Sequence, residues 1–453
     1  MAEKKVSVEE LLEKAKLPSK KAMRWHPFYK GKVEVIPKCA ITSFDDFGVW
    51  YTPGVAAPCR EIHANPDMVF EHTNKWNFVA VVTDGTRVLG LGDIGPEAGL
   101  PVMEGKALLF KYLGGVDAFP ICLDTKDPDE FIQTVKYLQP TFGGINLEDI
   151  AKPKCFYILE RLREEMDIPV WHDDQQGTAA ITLAGIINGL KVVGKKLNEV
   201  MFTLIGAGAA NICLARTLIK AGVPPGNMIL CDSRGILHPG RKDLEADKDT
   251  NPYKWEYALK TNAEGRTGDM AEAIRDVDVL VAASKPGPGT IKKEWVAKMA
   301  TDAIVFAEAN PIPEIWPWEA KEVGVRVFGT GRSDFPNQVN NSLGFPGIFR
   351  GTLDVRAKTI TDEMHITAAY AIAKVAEEKG LREDYIVPTM DEWEVFPREA
   401  VDVAMKAIEQ GIARIKPSRQ ELYERAEQII RDAREKTQHL MKHNFIRAPP
   451  PVE

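Results

Sequence analysis

Cysteine is scarce and its spacing unpatterned. Six residues (Cys39, Cys59, Cys122, Cys155, Cys213 and Cys231) are spread over 453 positions, none in a CxxC pair. That spread excludes a disulfide framework and a cysteine zinc site, and it reads as reduced thiols. Positive charge is not in excess: 58 Lys and Arg face 65 Asp and Glu, a net charge of −7. Binding a phosphate backbone needs clustered cations, so no nucleic-acid partner is expected. No window holds 18 consecutive apolar residues, and the opening MAEKKVSVEELLEKAK lacks the apolar stretch of a secretory leader. No membrane partner and a cytoplasmic location are the resulting expectations. Internal repeats and low-complexity blocks are missing too.

What is present is the composition of an ordinary globular chain, 44% hydrophobic and 27% charged. Its length exceeds what one core usually supports, so at least two domains are expected. Ser7 and Glu10 have capping-box spacing ahead of Leu11 and Leu12, which predicts a short helix over residues 7–16. Prolines then break the pattern up to about residue 75. Beyond it, apolar runs at 78–82 and 116–123, with strand ends at 143–146 and 169–171, alternate with helical patterns at 106–113 and 130–138. A second series follows, with helices at 177–193 and 209–221 and strands at 200–205, 228–231, 277–282, 303–306 and 325–329. Alternation of this kind predicts an α/β fold: an N-terminal α/β domain over 1–172, a Rossmann-like doubly wound domain over 173–341, and a helical C-terminus over 342–453 that returns to the first domain. The charged segment 418–444 reads as a solvated helix with one buried stripe, or as a dimerisation or clamp helix. The final RAPPPVE reads as a frayed tail.

The strand at 200–205 runs into Gly206-Ala-Gly208-Ala209-Ala210-Asn211 and then a helix, and the next strand ends at Asp232, 24 residues past Gly208. Gly206 permits the tight turn, Gly208 lets backbone N–H groups approach a pyrophosphate, and the helix N-terminus adds partial positive charge. Asp232 stands where a carboxylate would hold ribose hydroxyls. Asn211 departs from the Gly or Ala that close helix–strand packing prefers. Asp232 disfavours a 2′-phosphate and Arg234 favours one, so NAD and NADP both stay open.

Two acidic pairs, Glu148-Asp149 and Asp173-Asp174, follow apparent strand ends. Neighbours on a strand point to opposite faces, so both members serve one site only at a strand end or in a loop. Hard oxygen ligands of this kind suit Mg²⁺ or Mn²⁺; helix caps or solvated acids are the plain alternative. His172 reads as a packing residue rather than a ligand.

Longer strings go further. Trp50-Tyr-Thr-Pro-Gly-Val-Ala56 resembles the tyrosine motif of malic enzymes. The run from Thr83 to Gly95 resembles the family's substrate-arginine segment, and Leu100-Pro-Val-Met-Glu-Gly-Lys106 its lysine segment. Ile145-Asn-Leu-Glu-Asp149 and His172-Asp-Asp-Gln-Gln-Gly-Thr-Ala179 are similar to its two metal segments. Phe306-Ala-Glu-Ala-Asn-Pro311, Asn337-Gln-Val-Asn-Asn341 and Phe345-Pro-Gly347 resemble its later asparagine-bearing loops. The resemblance implies that Glu148, Asp149 and Asp174 ligate Mn²⁺ or Mg²⁺. It gives Arg87 a substrate carboxylate, and Asn310 and Asn341 (or Asn340) hydrogen bonds to substrate, with Asn310 also facing the cofactor. Lys106 is then the general base, Tyr51 the general acid, and Asp173 the group that tunes Lys106. The implied reaction converts L-malate to pyruvate and CO₂ in a homodimer, with a neutral Lys106 whose pKa burial depresses. A metal-independent two-domain dehydrogenase would leave Glu148, Asp149 and Asp174 idle. A non-catalytic NAD-binding sensor would leave Tyr51, Arg87 and Lys106 idle.

Overall fold

The computed structural model describes residues 8–452, with side chains from residue 16 onward. Helix α1 (Val8–Tyr29) comes first. It is longer than the predicted 7–16 segment, and Pro18 and Pro27 lie inside it. The C-terminal tail helps hold it: Trp25 Nε1 donates to the Pro450 carbonyl at 3.0 Å and the Tyr29 hydroxyl to the Arg447 carbonyl at 2.6 Å. The tail is therefore tied down rather than frayed. Three short helices, Asp46–Trp50, Ala56–Ala64 and Val69–His72, occupy the proline-broken stretch.

The first sheet contains β1 (Phe78–Thr83), β2 (Asp117–Cys122), β3 (Gly144–Leu147) and β4 (Val170–His172), all parallel in the order β2-β1-β3-β4. Strands buried on both faces need continuous apolar runs, which is why Val79–Val82 reads so clearly in the sequence. Helices α2 (Pro96–Gly114), α3 (Pro128–Leu138) and α4 (Lys154–Glu165) make the crossovers. A wide helical turn, Asp173–Gly177, then leads into the almost wholly buried α5 (Thr178–Val193).

The second sheet has the order β10-β9-β8-β5-β6-β7, built from β5 (Phe202–Ile205), β6 (Met228–Asp232), β7 (Gly235–Ile236), β8 (Val279–Ala282), β9 (Ile304–Ala307) and β10 (Val327–Thr330). All pairings are parallel except β6 with β7, a two-residue edge strand that the sequence pattern does not announce. Helix α6 (Ala209–Lys220) follows β5, and α7 (Pro252–Lys260) follows β7. Sheet order reverses between β5 and β8, the kind of switch point where α/β ligands bind.

Four helices complete the chain: α8 (Phe345–Asp354), α9 (Asp362–Lys379), α10 (Val395–Glu409) and α11 (Arg419–Lys442). One apolar cluster joins Val79, Phe110 and Trp171 of the first sheet layer to Phe349, Val401 and Leu422 of these helices. Helix α9 gives Met364 and Ala368 to the same cluster, packs on α10, and also packs on α5 and α6 of the second unit. Helix α11 buries a stripe of Leu422, Ala426, Ile430 and Ala433 and exposes much of its charged remainder.

Candidate active site

All four parallel strands of the first sheet point their carboxyl ends one way, so the residues that follow them gather at one edge. Glu148 and Asp149 leave β3, and Asp173 and Asp174 leave β4. Lys106 reaches them from the middle of α2. Its Nζ lies 2.5 Å from Asp173 Oδ2 and 3.0 Å from Glu148 Oε1, and the side chain is only 7% exposed. The other oxygen of Asp173 accepts from Trp171 Nε1 at 3.0 Å, and Glu148 Oε2 accepts from Asn146 Nδ2 at 2.9 Å. The Asp149 amide donates to Asp174 Oδ2 at 2.8 Å, and Asp149 takes a left-handed backbone with φ of 55°.

Charge is poorly balanced here. Four carboxylates surround one lysine. Burial pushes Asp149 up to about 8, with Asp174 adding to the effect. Burial also raises Glu148 and Asp173, although Lys106 pulls each the other way. For Lys106, burial alone would favour the neutral amine, but Asp173 and Glu148 outweigh it and hold the ammonium above its ordinary range. Two contacting carboxylates here count for more than desolvation. His172 is buried and held neutral by desolvation, with Nδ1 3.7 Å from Asp174 Oδ2.

Do these residues fit a divalent cation? Their chemistry does. The donors are hard oxygens, Asp149 Oδ2 is buried without a hydrogen-bond partner, and the excess negative charge is of the kind a cation compensates. Among the described residues, no three His, Cys, Asp or Glu side chains already converge as a metal cage. Lys106 takes up Glu148 and Asp173 instead.

Other expected residues surround this centre. Arg87 is exposed beside Asp149; its amide donates to the Asp149 carbonyl at 3.0 Å and one guanidinium nitrogen to the Leu89 carbonyl at 2.9 Å. A Cβ on Gly90 would meet the Asn310 carbonyl oxygen at 2.7 Å, so the Arg87 loop touches the Asn310 loop across the cleft. Asn340 accepts from the Ser342 amide at 3.0 Å and caps a short turn. Asn341 is the one that faces the acidic turn, where a Cβ on Gly177 would lie 3.2 Å from its own Cβ and 2.0 Å from Asp173 Oδ1. Tyr51 is not brought to this group. It is 73% exposed on the segment before β1.

The dinucleotide loop has the expected form. Gly206 has φ of +100° and passes so near Ala283 that a Cβ would lie 2.3 Å from its carbonyl oxygen. Gly208, Ala209 and Ala210 open α6. Asn211 does not loosen the packing: its buried Nδ2 donates to the Ile205 carbonyl at 2.9 Å and ties α6 to the end of β5. Asp232 ends β6 but is not a bare carboxylate. Arg241 donates to it at 2.7 Å and Lys254, on α7, at 2.9 Å, and although burial works against ionisation these bonds hold it below its usual range. Arg234 points outward and pairs with Asp243 at 3.1 Å, so it is not the cation beside the carboxylate.

Sequence reasoning missed several residues. Lys152, three positions after Asp149, donates to the Ala207 carbonyl at 3.1 Å and so carries a charge from the first sheet edge to the glycine loop. Glu314 accepts from the Ser284 amide at 2.7 Å and the Ala309 amide at 3.2 Å, which fastens the loops after β8 and β9 together behind Asn310. Glu308 is buried and bonded to Thr182 Oγ1 at 2.6 Å. Lys152 was legible in principle, since it leaves the same strand end as the metal-type acids. The two glutamates carry no local signal.

Two parallel sheets, a glycine turn at the switch point of the second, and a buried lysine–carboxylate cluster at the edge of the first define a two-domain dinucleotide-binding enzyme. Residues 30–163 match the model of the malic enzyme N-terminal domain, and residues 175–410 that of the malic enzyme NAD-binding domain. The chain belongs to the malic enzyme family. It is 49% identical over 408 residues to a bifunctional malic/malolactic enzyme of Bacillus subtilis, covering 90% of this chain and 97% of that one. It is 44% identical to an NADP-dependent malic enzyme of Escherichia coli, covering 86% of this chain and 52% of that protein. Among solved structures, that of Entamoeba histolytica malic enzyme superposes with a TM-score of 0.96 at 48% identity, covering 99% of this chain and 94% of the other. That of the Pyrococcus horikoshii malic enzyme gives 0.84 at 54% identity, covering 90% and 96%.

Proposed function

We propose that this chain oxidises and decarboxylates L-malate to pyruvate and CO₂, reduces NAD or NADP, and depends on Mn²⁺ or Mg²⁺. The observation that carries this reading is Lys106 held between Asp173 and Glu148 at a strand edge that adjoins the glycine loop through Lys152. Glu148, Asp149 and Asp174 are the residues that would hold the cation. Bound there, such a cation would supply polarisation of the C2 hydroxyl and of the carbonyl it becomes, and the nicotinamide would supply the acceptor for the C2 hydride.

The chain's own groups do the rest. Arg87 offers a planar guanidinium to a malate carboxylate, and Asn310 and Asn341 offer amides from the opposite wall. As the base, Lys106 acts from its neutral form, with Asp173 and Glu148 as the carboxylates that contact its Nζ. Lys106 then takes the C2 hydroxyl proton as hydride leaves. Loss of CO₂ breaks the C3–C4 bond, and Tyr51 returns one proton to C3 of enolpyruvate. One proton is taken and one given, so the sum balances. Arg241 and Lys254 on Asp232 offset its repulsion of a 2′-phosphate, which supports use of both cofactors.

The test is the near-ultraviolet absorbance of reduced nicotinamide with L-malate and Mn²⁺, run with NAD and NADP in parallel. A rise is expected with each. No rise with either sinks the proposal.

A further inference from the structure

The loops after β8 and β9 leave the second sheet side by side. The parallel ladder between them ends where the Glu308 amide donates to the Ala282 carbonyl at 2.8 Å. One step further out, at Ser284 and Ala309, a side chain replaces the ladder. Glu314 Oε1 accepts from the Ser284 amide at 2.7 Å and from the Ser284 hydroxyl at 3.0 Å, and Oε2 accepts from the Ala309 amide at 3.2 Å. Backbone bonds resume beyond it, from the Gly287 amide to the Ile312 carbonyl and from the Ile291 amide to the Glu314 carbonyl, each at 3.2 Å.

Both loops border the cleft. A Cβ on Gly206 would lie 3.1 Å from Ser284 Cβ, and one on Gly90 would meet Pro286 Cγ at 3.2 Å as well as the Asn310 carbonyl. The Asn310 side chain is loosely held, with Nδ2 3.4 Å from the Glu308 carbonyl. Its aim is therefore set by its backbone, and Glu314 grips that backbone one residue earlier. Glu314 is wholly buried, and the groups that act on its carboxyl are the Ser284 and Ala309 donors rather than a cation. Burying a carboxylate in this way is expensive, and an apolar side chain would fill the space at lower cost. What the carboxylate alone provides is an acceptor for each of two loops.

We propose that Glu314 is a positioning residue for the hydride step, fixing through Ser284 and Ala309 where Asn310 presents its amide to substrate and nicotinamide. The inference rests on the malate reaction and on the role proposed for Asn310. A glutamine at 314 has nearly the same shape but one acceptor and one donor end. Whichever way its amide turns, the NH₂ faces a backbone N–H of one loop, donor against donor. That loop comes free, and a displacement of about 1 Å can cost on the order of a hundredfold in rate. Burial pushes the Glu314 carboxyl up to about 7, so assays at about pH 8 hold it as the carboxylate.

A double-mutant cycle tests the proposal, with kcat and KM for L-malate measured in wild type, Glu314→Gln, Asn310→Ala and the double variant. Glu314→Gln should lose about ten- to hundredfold in kcat while KM for malate changes by less than about threefold. Glu314→Asp, too short to span both loops, replaces it if it does not fold. The double variant should be about as slow as Asn310→Ala alone, because both changes act at one point. Losses that multiply, as a general loosening would give, overturn the proposal, and so does wild-type turnover in Glu314→Gln. Hydrogen exchange of the unliganded chain gives a readout apart from activity. The segment covering 284 or that covering 309 should exchange about tenfold faster in Glu314→Gln, while β5 and the glycine turn keep wild-type rates. Unchanged exchange in both segments overturns the grip. Wild-type turnover in Asn310→Ala overturns the role of Asn310 and the inference with it, whereas a wild-type chain that does not oxidise malate overturns the reaction itself.

Discussion

Asp232 accepts hydrogen bonds from Arg241 and Lys254 together. Removing Lys254 leaves the carboxylate with one cation and restores part of its repulsion of a 2′-phosphate. Lys254→Ala should therefore lower kcat/KM for NADP about tenfold, near 1.4 kcal/mol, and for NAD by much less. Parallel steady-state titrations read this directly; equal losses would refute it. The place of Asp232 was legible because strand, glycine turn, helix and strand follow one another in sequence. Its partners were not, because Arg241 and Lys254 arrive from later turns that only the fold brings back. Glu308 makes a prediction of its own. Burial lifts its carboxyl from an ordinary 4.5 to about 8. Below about pH 4.5 both folded and unfolded chains carry this proton, and pH has no effect through this group. Between 4.5 and 8 the unfolded chain has lost a proton that the native chain keeps, so stability falls as pH rises, by up to about 1.4 kcal/mol per unit. Glu308→Gln removes this term and should flatten the melting temperature between about pH 6 and pH 8. A slope identical to wild type would contradict the assignment.

Elements read well from the sequence where one signal dominated. Strands such as β1, β5, β8 and β9 announced themselves as short apolar runs because both faces are buried, whereas the two-residue β7 did not, and α11 was announced by its charge and its one stripe. Within that stripe Ile430 is fully buried. Ile430→Ala should cost about 2 to 4 kcal/mol by leaving a cavity between α11 and the body. Thermal unfolding checks this, and a loss under about 0.5 kcal/mol would mean that α11 is a solvated appendage. Elements that depend on distant partners stayed illegible. Helix α1 was expected to stop at residue 16, yet it runs on to Tyr29 with Trp25 and Tyr29 bonded to a tail more than 400 positions away. Asp173, which opens the turn Asp173–Gly177, bonds neighbouring Trp171 and also Lys106, 67 positions away, a contact that no local pattern encodes.

The candidate site was legible as a set of residues but not as an arrangement. The motifs named Lys106, Glu148, Asp149, Asp173 and Asp174; parallel strands bring the four acids to one edge, and Lys106 reaches them from α2. That Lys106 is held as an ammonium depends on distances of 2.5 and 3.0 Å, which no sequence shows. The excess of carboxylates at that edge has a measurable consequence for the whole molecule. Mn²⁺ should raise the melting temperature, by the equivalent of about 2.7 kcal/mol at a hundred times its dissociation constant. Asp149→Asn should lose most of this gain while melting higher than wild type in EDTA, because one buried carboxylate is gone. Scanning calorimetry with and without Mn²⁺ decides it, and an unchanged Mn²⁺ gain would remove Asp149 from the ligand set.

The contact between Gly90 and the Asn310 carbonyl joins the two halves of the molecule. It acts as a clearance gauge. The thickness of one backbone sets how near the arginine wall can come to the asparagine wall and so, on the roles proposed for Arg87 and Asn310, how far apart the two ends of a four-carbon diacid would be gripped. A methyl group at that point is a shim. Gly90→Ala should hold the walls apart and weaken malate and cofactor together, raising both KM values, while the sheets on either side, which never meet there, unfold at the temperature they always did.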